Sequence, residues 1–451
     1  MSDGADKIRI TSDDVNAKKV DEILSQQLSF GMPSVEPSKD RSAWYYKSWF
    51  VLMLAGAVGG FLGWCAIEPI YDDHETFRGT IDSVDFQASL PGAAVSGRMS
   101  VANVSVWLLA KNCKMDTGDG KLKPFDPVYF HAGQTVEVTG DVGVLQHPIM
   151  FAVRVRLRPN DTAKYPTPDL VSLQFRDSLT GVLLVFPMVA GFVGLAIGAA
   201  DGALSRAYGR AMICGLVGLG MGLVAGLLAS VAGELLYSVF GIFLSRLQRG
   251  GEPSTGAFML QMMSRGLAWA LSGVAMGLGQ GVALRSKKLF VNGMIGGVVG
   301  GLLGGLLFDP IGRMLAGDDG NLSRAVGFVV IGLVTGLMVG IVELIAREAW
   351  LKMLAGPLAG KEFVLYRDPT SIGSSPKREV YLFKDPDVEP VHALVRRVGE
   401  GYEIEDQKTP AGVLLNGRKV TRARLKSQDQ IRIGSTVLLG DLRNIDRDVL
   451  D

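Results

Sequence analysis

Residues 292–311 read N-G-M-I-G-G-V-V-G-G-L-L-G-G-L-L-F-D-P-I, and they narrow the folds open to this chain more than any other stretch. Gly296, Gly300 and Gly304 recur at every fourth position, as do Gly293, Gly297, Gly301 and Gly305, with only Val, Leu, Ile and Met between them. In water each such glycine would weaken a helix by about 1 kcal/mol against Ala. In lipid the backbone has no water to bond, so the helix is kept, and the missing side chains let neighbouring helices come close. At roughly 1.5 Å per residue the run crosses a hydrocarbon core of about 30 Å. It reads as a membrane helix built to pack against other helices.

Sliding this stretch back onto residues 48–68 aligns Gly297, Gly300, Gly301 and Gly304 with Gly56, Gly59, Gly60 and Gly63, and Asp309-Pro310-Ile311 with Glu68-Pro69-Ile70. Agreement at glycine alone is common in membrane helices; agreement at the acid-Pro-Ile exit as well indicates an internal repeat. Residues 48–68 are thus a first span. Five more follow within residues 180–346, at 180–200, 211–236, 266–284, 292–311 and 326–346. Glycines spaced by four mark them: Gly194, Gly198 and Gly202; Gly273, Gly277 and Gly281; Gly332, Gly336 and Gly340. With Gly56, Gly60, Gly297, Gly301 and Gly305 these are the expected helix-packing positions. The first, third and fifth spans resemble one another, as do the second, fourth and sixth. The reading is a six-helix bundle of three tandem helical hairpins in parallel repetition, with a soluble domain inserted in the first.

The loops around Arg206 and Arg210, around Arg285, Lys287 and Lys288, and after the last span at Arg347 and Lys352 are basic, whereas residues 309–321 carry Asp309, Asp318 and Asp319. The positive-inside rule then places both termini in the cytoplasm and residues 71–176 outside. Glu234 and Glu343 are the acids to weigh within spans, and both lie near helix ends, where they reach the interface. The polar arm, residues 1–47, contains no apolar leader; Thr11-Ser12-Asp13-Asp14 opens an expected short amphipathic helix.

Residues 71–176 alternate as strands at 76–84, with a bulge expected at Gly79, and at 101–109, 133–142 and 149–157. The pattern is similar to a small OB-like barrel. Arg154 and Arg156 share a strand face, but no aromatic platform for stacked bases accompanies them, and the net charge of the chain is only +1, so nucleic acid is not an expected partner. Cys65, Cys113 and Cys214 give no disulfide or metal spacing, and no cofactor is expected.

Residues 361–440 return to short strands split by turns, with Asn416-Gly417 as a hairpin signal. An all-β sandwich follows. Its motifs run in order: Ser371-Ile372-Gly373, Val391-His392-Ala393, Asp406, Gly412 to Gly417, and Asp429-Gln430-Ile431-Arg432-Ile433-Gly434. This resembles a forkhead-associated (FHA) domain, a sandwich that reads phosphothreonine through loops carrying Gly-Arg, Ser-x-x-His and Asn-Gly-Thr. Here the Arg position holds Ser374, the Ser position Glu389, and the Asn and Thr positions Ala411 and Val413. Gly373, His392 and Gly412 persist, and the resemblance implies that they support the loops. Glu389 would repel phosphate, so phosphate reading is expected to be lost or altered. Ser374, Ser375, Glu389, His392 and Lys408 are the candidate partner contacts.

No Gly-rich phosphate loop follows a strand, no H-E-x-x-H occurs, and only four His are present, so no enzyme is expected. The sequence reads as an integral membrane scaffold or signalling adaptor of a bacterial inner membrane. Its cytoplasmic module takes a protein partner, with or without phosphothreonine, and the chain itself can oligomerise. A channel or transporter built from three helical hairpins is the alternative.

Overall fold

The computed structural model describes residues 44–70, 74–88, 95–109, 113–144, 148–247, 255–314 and 321–443. The amphipathic helix expected in the arm falls outside them. The chain forms two compact units, residues 48–346 and a unit containing residues 347–443.

Six helices among the described residues are long and apolar enough to cross a bilayer. They are α1 (Ser48–Ile67), α3 (Phe186–Leu204), α4 (Tyr208–Leu247), α5 (Thr255–Ala283), α6 (Lys287–Met314) and α7 (Asn321–Ala346). A shorter α2 (Leu170–Thr180) runs through a π-helical turn, Gly181–Val185, into α3. Two expected ends differ. α4 continues for 40 residues instead of stopping near 236, because Leu, Val, Ile and Phe carry the helical pattern onward. Pro310 lies inside α6 rather than ending it, whereas its counterpart Pro69 does follow the end of α1.

Three glycine-faced helix pairs build the bundle, but the partners are offset by one from the expected hairpins. Gly194, Gly198 and Gly202 of α3 face Gly218, Cys214 and Ala211 of α4. Gly273, Gly277 and Gly281 of α5 face Gly297, Gly293 and Phe290 of α6, while Gly301 and Gly305 meet Trp269. The third pair joins the two ends of the bundle: Gly332, Gly336 and Gly340 of α7 face Gly56, Leu52 and Trp49 of α1, and Gly60 faces Phe328. A Cβ on Gly56 would overlap the carbonyl oxygen of Gly332, and one on Gly297 that of Gly273. The barrel joins α1 to α3, which pack on each other through Gly59 and Gly63 as expected, while the tightest glycine contacts of α1 are with α7. Sequence order suggested the hairpins; spatial order makes the first helix the partner of the last.

Each double glycine row has a use. On α6 the row Gly293/Gly297/Gly301 meets α5, and the row Gly296/Gly300/Gly304 meets Val339, Thr335 and Ile331 of α7. On α1, Gly59 and Gly63 meet Val193 and Val189 of α3. The helices close into a ring, and Phe186, Trp269, Met276, Phe328 and Ile331 of α3, α5 and α7 belong to its apolar core. The Trp269 ring lies 4.5 Å from that of Phe186 and 6.2 Å from that of Phe328. Two ion pairs sit at equivalent places in the repeat: Arg265 with Asp309 at 2.7 Å and Arg324 with Glu68 at 2.8 Å. At the other end Ser48 donates to Glu343 across 3.1 Å, tying α1 to α7; the Glu234 side chain lies outside the description.

Residues 75–157 fold as a barrel. Strands β1 (Glu75–Asp85), β2 (Val95–Val101), β3 (Val104–Leu109), β6 (Thr135–Val144) and β7 (Pro148–Leu157) close in the order β1-β2-β3-β7-β6, with β3 parallel to β7. This is the closed five-stranded, OB-like arrangement. β4 (Lys114–Asp116) and β5 (Lys123–Pro124) extend it beside β7. The stretch 101–109 is not one strand: Ala102 and Asn103, both at positive φ, turn β2 into β3. The bulge in β1 falls between Ile81 and Ser83, not at Gly79, where Val101 and Ala102 crowd in. Arg156 is committed to Asp116 (2.7 Å) and Glu137 (3.4 Å), which removes it as a nucleic-acid contact.

Because a side chain on a row glycine must displace backbone, Gly297→Val should lower the thermal midpoint of the lipid-embedded chain, by the equivalent of about 1–3 kcal/mol or more. Gly209→Ala, with nothing within 4 Å of its added methyl, should not lower it. Circular dichroism on heating compares the two.

Candidate functional site

The second unit is a two-sheet sandwich. β11 (Val380–Tyr381), β10 (Thr370–Gly373), β12 (Ala393–Val398), β13 (Gly401–Asp406) and β16 (Arg422–Leu425) form one sheet in that order. β15 (Arg418–Val420), β14 (Val413–Leu415), β17 (Gln430–Ile433), β18 (Thr436–Leu442), β8 (Ala349–Ala355) and β9 (Glu362–Val364) form the other. The sheet begins at Ala349, ahead of the expected 361. Ala-Trp-Leu-Lys-Met-Leu-Ala pairs with β18 from Ala349↔Leu442 to Ala355↔Val437. Asn416 and Gly417, at φ 50° and 81°, make the expected tight turn between β14 and β15.

The pairing gives the sandwich two distinct ends. Glu348, where the chain enters, bonds Arg397 at 3.2 Å, and its carbonyl accepts from the Arg443 amide. The β12–β13 turn after Val398 lies at this end. β12 begins at the other end, beside Ile372, and there the loops after Gly373, before His392 and after Asp406 converge.

His392 is fully buried and ties these loops together. Its Nδ1 accepts the Glu389 amide at 3.2 Å. Nε2 therefore carries the hydrogen and donates to the Gly412 carbonyl at 3.1 Å, with Thr409 Oγ1 at 2.9 Å. Thr409 donates to Asp406 at 2.7 Å and accepts the Gly412 amide at 3.2 Å. The Ser374 amide donates to the Glu389 carbonyl at 2.9 Å. Gly373 permits that approach, since a Cβ there would overlap the Pro390 carbonyl; Gly412 holds φ at +71°. Ser374, Glu389 and His392 thus meet at one loop cluster. Ser375 turns aside, its Oγ accepting the Lys377 amide at 3.4 Å. Lys408 is exposed at the cluster edge beside Thr409.

Two carboxylates that the sequence motifs did not single out brace the same loops. Asp385 is buried, and its Oδ2 accepts from the amides and hydroxyls of Ser435 and Thr436 at 2.9–3.1 Å. Burial pushes its carboxyl upward, but these bonds together hold it below the usual value. Glu379 follows the same pattern. It accepts the Ser371 amide at 3.0 Å and the Arg367 guanidinium at 2.9 Å. Burial raises its carboxyl, and the bonds from Ser371 and Arg367 outweigh that, so it too lies below the usual range. The only sequence signal for Asp385 was its place in an Asp-Pro-Asp loop.

The family described as the inner membrane component of T3SS, cytoplasmic domain, matches residues 352–442. The oxoglutarate dehydrogenase inhibitor of Corynebacterium jeikeium (strain K411) is 33% identical over 95 residues, which is 21% of this chain and 65% of that protein. The match thus spans less than two thirds of that relative's length. Among solved structures, the FHA domain of a Chlamydia trachomatis protein is 27% identical, covering 21% of this chain and 97% of that one at a TM-score of 0.20. The Slr1951 protein from Synechocystis sp. is 25% identical, covering 22% and 97% at a TM-score of 0.20. The C-terminal sandwich is an FHA-type domain. The chain joins it to a six-helix membrane bundle and an OB-like barrel.

Asp385 has a folded pKa below its unfolded value of about 3.9, so its stabilisation is complete above that value and is lost as pH falls through the folded one. Asp385→Ala should cost the sandwich about 1–3 kcal/mol at pH 7. The difference from wild type should shrink below about pH 4. Urea unfolding of residues 347–451 at several pH values measures both.

Proposed function

We propose that this chain is a membrane scaffold that recruits a protein partner through the loop cluster around Ser374, Glu389, His392 and Lys408. One observation carries the reading: the cluster lies at the end of the sandwich opposite Glu348, where the chain leaves its last membrane helix. Within the sandwich, the loops and the point of chain entry are thus at different ends. The basic short loops favour a cytoplasmic sandwich and an extracytoplasmic barrel in an inner membrane. Support comes from the membrane-component family that the sandwich matches.

The partner is a protein surface whose recognition does not depend on phosphate. Ser374 offers a hydroxyl where a phosphate reader carries an Arg fork, and Glu389 adds a like charge. Two unit charges roughly 4 Å apart repel by about 1 kcal/mol even in water, and more near a protein surface. In this role the chain binds and positions, and carries out no reaction. The apolar side chains in the bundle core favour an anchor over a channel.

Calorimetry on residues 347–451 with phosphothreonine peptides and their plain counterparts tests this. The wild type should show no preference for phosphate, while Ser374→Arg with Glu389→Ser should gain about tenfold, near 1.4 kcal/mol, for the phosphorylated form. A tenfold phosphate preference in the wild type would remove this reading. Glu389→Lys should weaken capture of a partner from lysate without lowering the domain's thermal midpoint.

Topology is checked by thiol labelling of intact vesicles. Burial pushes the Cys113 thiol up to about 12, so it should stay silent. Asn103→Cys in the barrel and Ser375→Cys in the sandwich should label from opposite sides.

A further inference from the structure

We infer that the unbroken helix from Leu170 to Leu204 is a relay between the core of the barrel and the core of the helix ring, with the π-helical turn as its joint. At the barrel end, Leu170 is 3% exposed and belongs to the apolar core with Ile81, Val136 and Met150, and Leu173 packs against that core. The start of α2 is fixed there. Asp169 Oδ1 accepts the amides of Val171 and Ser172 at 3.1 and 3.3 Å and so caps the helix. Asn103, in the turn between β2 and β3, donates to the Thr167 hydroxyl at 3.3 Å.

At the other end Phe186 opens α3 inside the ring. Its side chain touches that of Trp269 on α5, and Trp269 leads on to Phe328 on α7, so the three rings form a row across three helices. Trp269 and Phe328 are buried. Pro187, the next residue, is buried as well and packs against Gly226 of α4.

The helix between these ends is continuous, because Thr180, Val185 and Phe186 all hold helical φ and ψ. It is about 50 Å long. The other link to the barrel is of a different kind: α1 ends at Ile67, and residues 68–70 form a turn. Among the described residues, α2 with α3 is thus the one helix that has a side chain in each core.

The joint is the π-helical turn, Gly181–Val185, which has no second example among the described residues. Pro187 accounts for it, since it has no amide to donate and its ring crowds the turn before it. A π turn holds one residue more than an α turn. Passing that residue out of the helix would rotate α2 against α3 by about 100° and shift it by about 1.5 Å. Close-packed cores take one arrangement or another and do not deform smoothly. While Leu170 is seated, α2 has one setting; a barrel that repositions Leu170 resets α2, and the change arrives at Phe186 and its row of rings.

Hydrogen exchange of the full chain in lipid vesicles provides the test, read on peptides from residues 186–197. Leu170→Ala should speed exchange there about tenfold or more, and Asp169→Ala, which removes only the cap, about threefold. Val106→Ala, a change in the same barrel core but on β3 and off the helix, should leave it unchanged. Inserting Gly-Gly-Ser after Thr180 should uncouple the ends, so that Leu170→Ala added to the insertion has no further effect on residues 186–197. Three results would each overturn the inference: exchange unchanged by both Leu170→Ala and Asp169→Ala, an equal rise with Val106→Ala, or a Leu170→Ala effect that survives the insertion.

Discussion

The bundle depends on backbone meeting backbone. Within lipid, burial of apolar side chains gives helices little reason to prefer each other over acyl chains, so association rests on dispersion and fit. Removing side chains at Gly56, Gly297 and their equivalents brings carbonyls of one helix against Cα atoms of the next. The same sequences in water would be poor helices. Glycine density, a weakness in one solvent, is the packing device in the other.

The sandwich solves the opposite problem with the opposite chemistry. Its loops cannot be held by packing alone, because loops carry polar backbone groups that need partners. His392, Thr409 and Asp406 satisfy those on one side of the cluster, and Asp385 gathers five donors, from Asp387, Ser435 and Thr436, on the other. The candidate contacts therefore divide. His392 is spent on the loops, and Ser374, Glu389 and Lys408 are the residues left to the proposed partner contact.

The glycine spacing that sets the helix contacts was legible in the sequence, but the acid-Pro pattern was not a common exit, since Pro310 lies inside α6 and Pro69 follows α1. The pairing of helices was not legible, because a repeat states which helices are alike and not which are neighbours. The symmetric ion pairs show how close the signal came: Glu68 aligns with Asp309 and Arg265 with Arg324, yet only the structure joins Glu68 to Arg324. In the barrel, Ala102 and Asn103 hid a turn because Ala is a rare choice at positive φ. In the sandwich, β8 was missed because Leu, Met and Ala favour helix and its partner strand lies about ninety residues on. Of the candidate site, the loop motifs were readable through family resemblance. The burial of His392 and the bracing by Asp385 were not, since both depend on long-range hydrogen bonds.

Closure of the ring by its first and last helices gives α7 two tasks. It completes the third glycine pair with α1, and after two intervening residues the chain enters β8. A helix that served only as a stalk could be exchanged for any apolar segment of the same length. α7 cannot, because Gly332, Gly336 and Gly340 are set to the backbone of α1. The order of folding is constrained as well. α1 is made first and leaves the membrane for the barrel, but its glycine partner arrives only when α7 has been inserted. Until then Gly56 and Gly60 face lipid, and the bundle is an open chain of helices. The ring, and with it the fixed position of the last helix, is complete only when the segment next to the sandwich is in place.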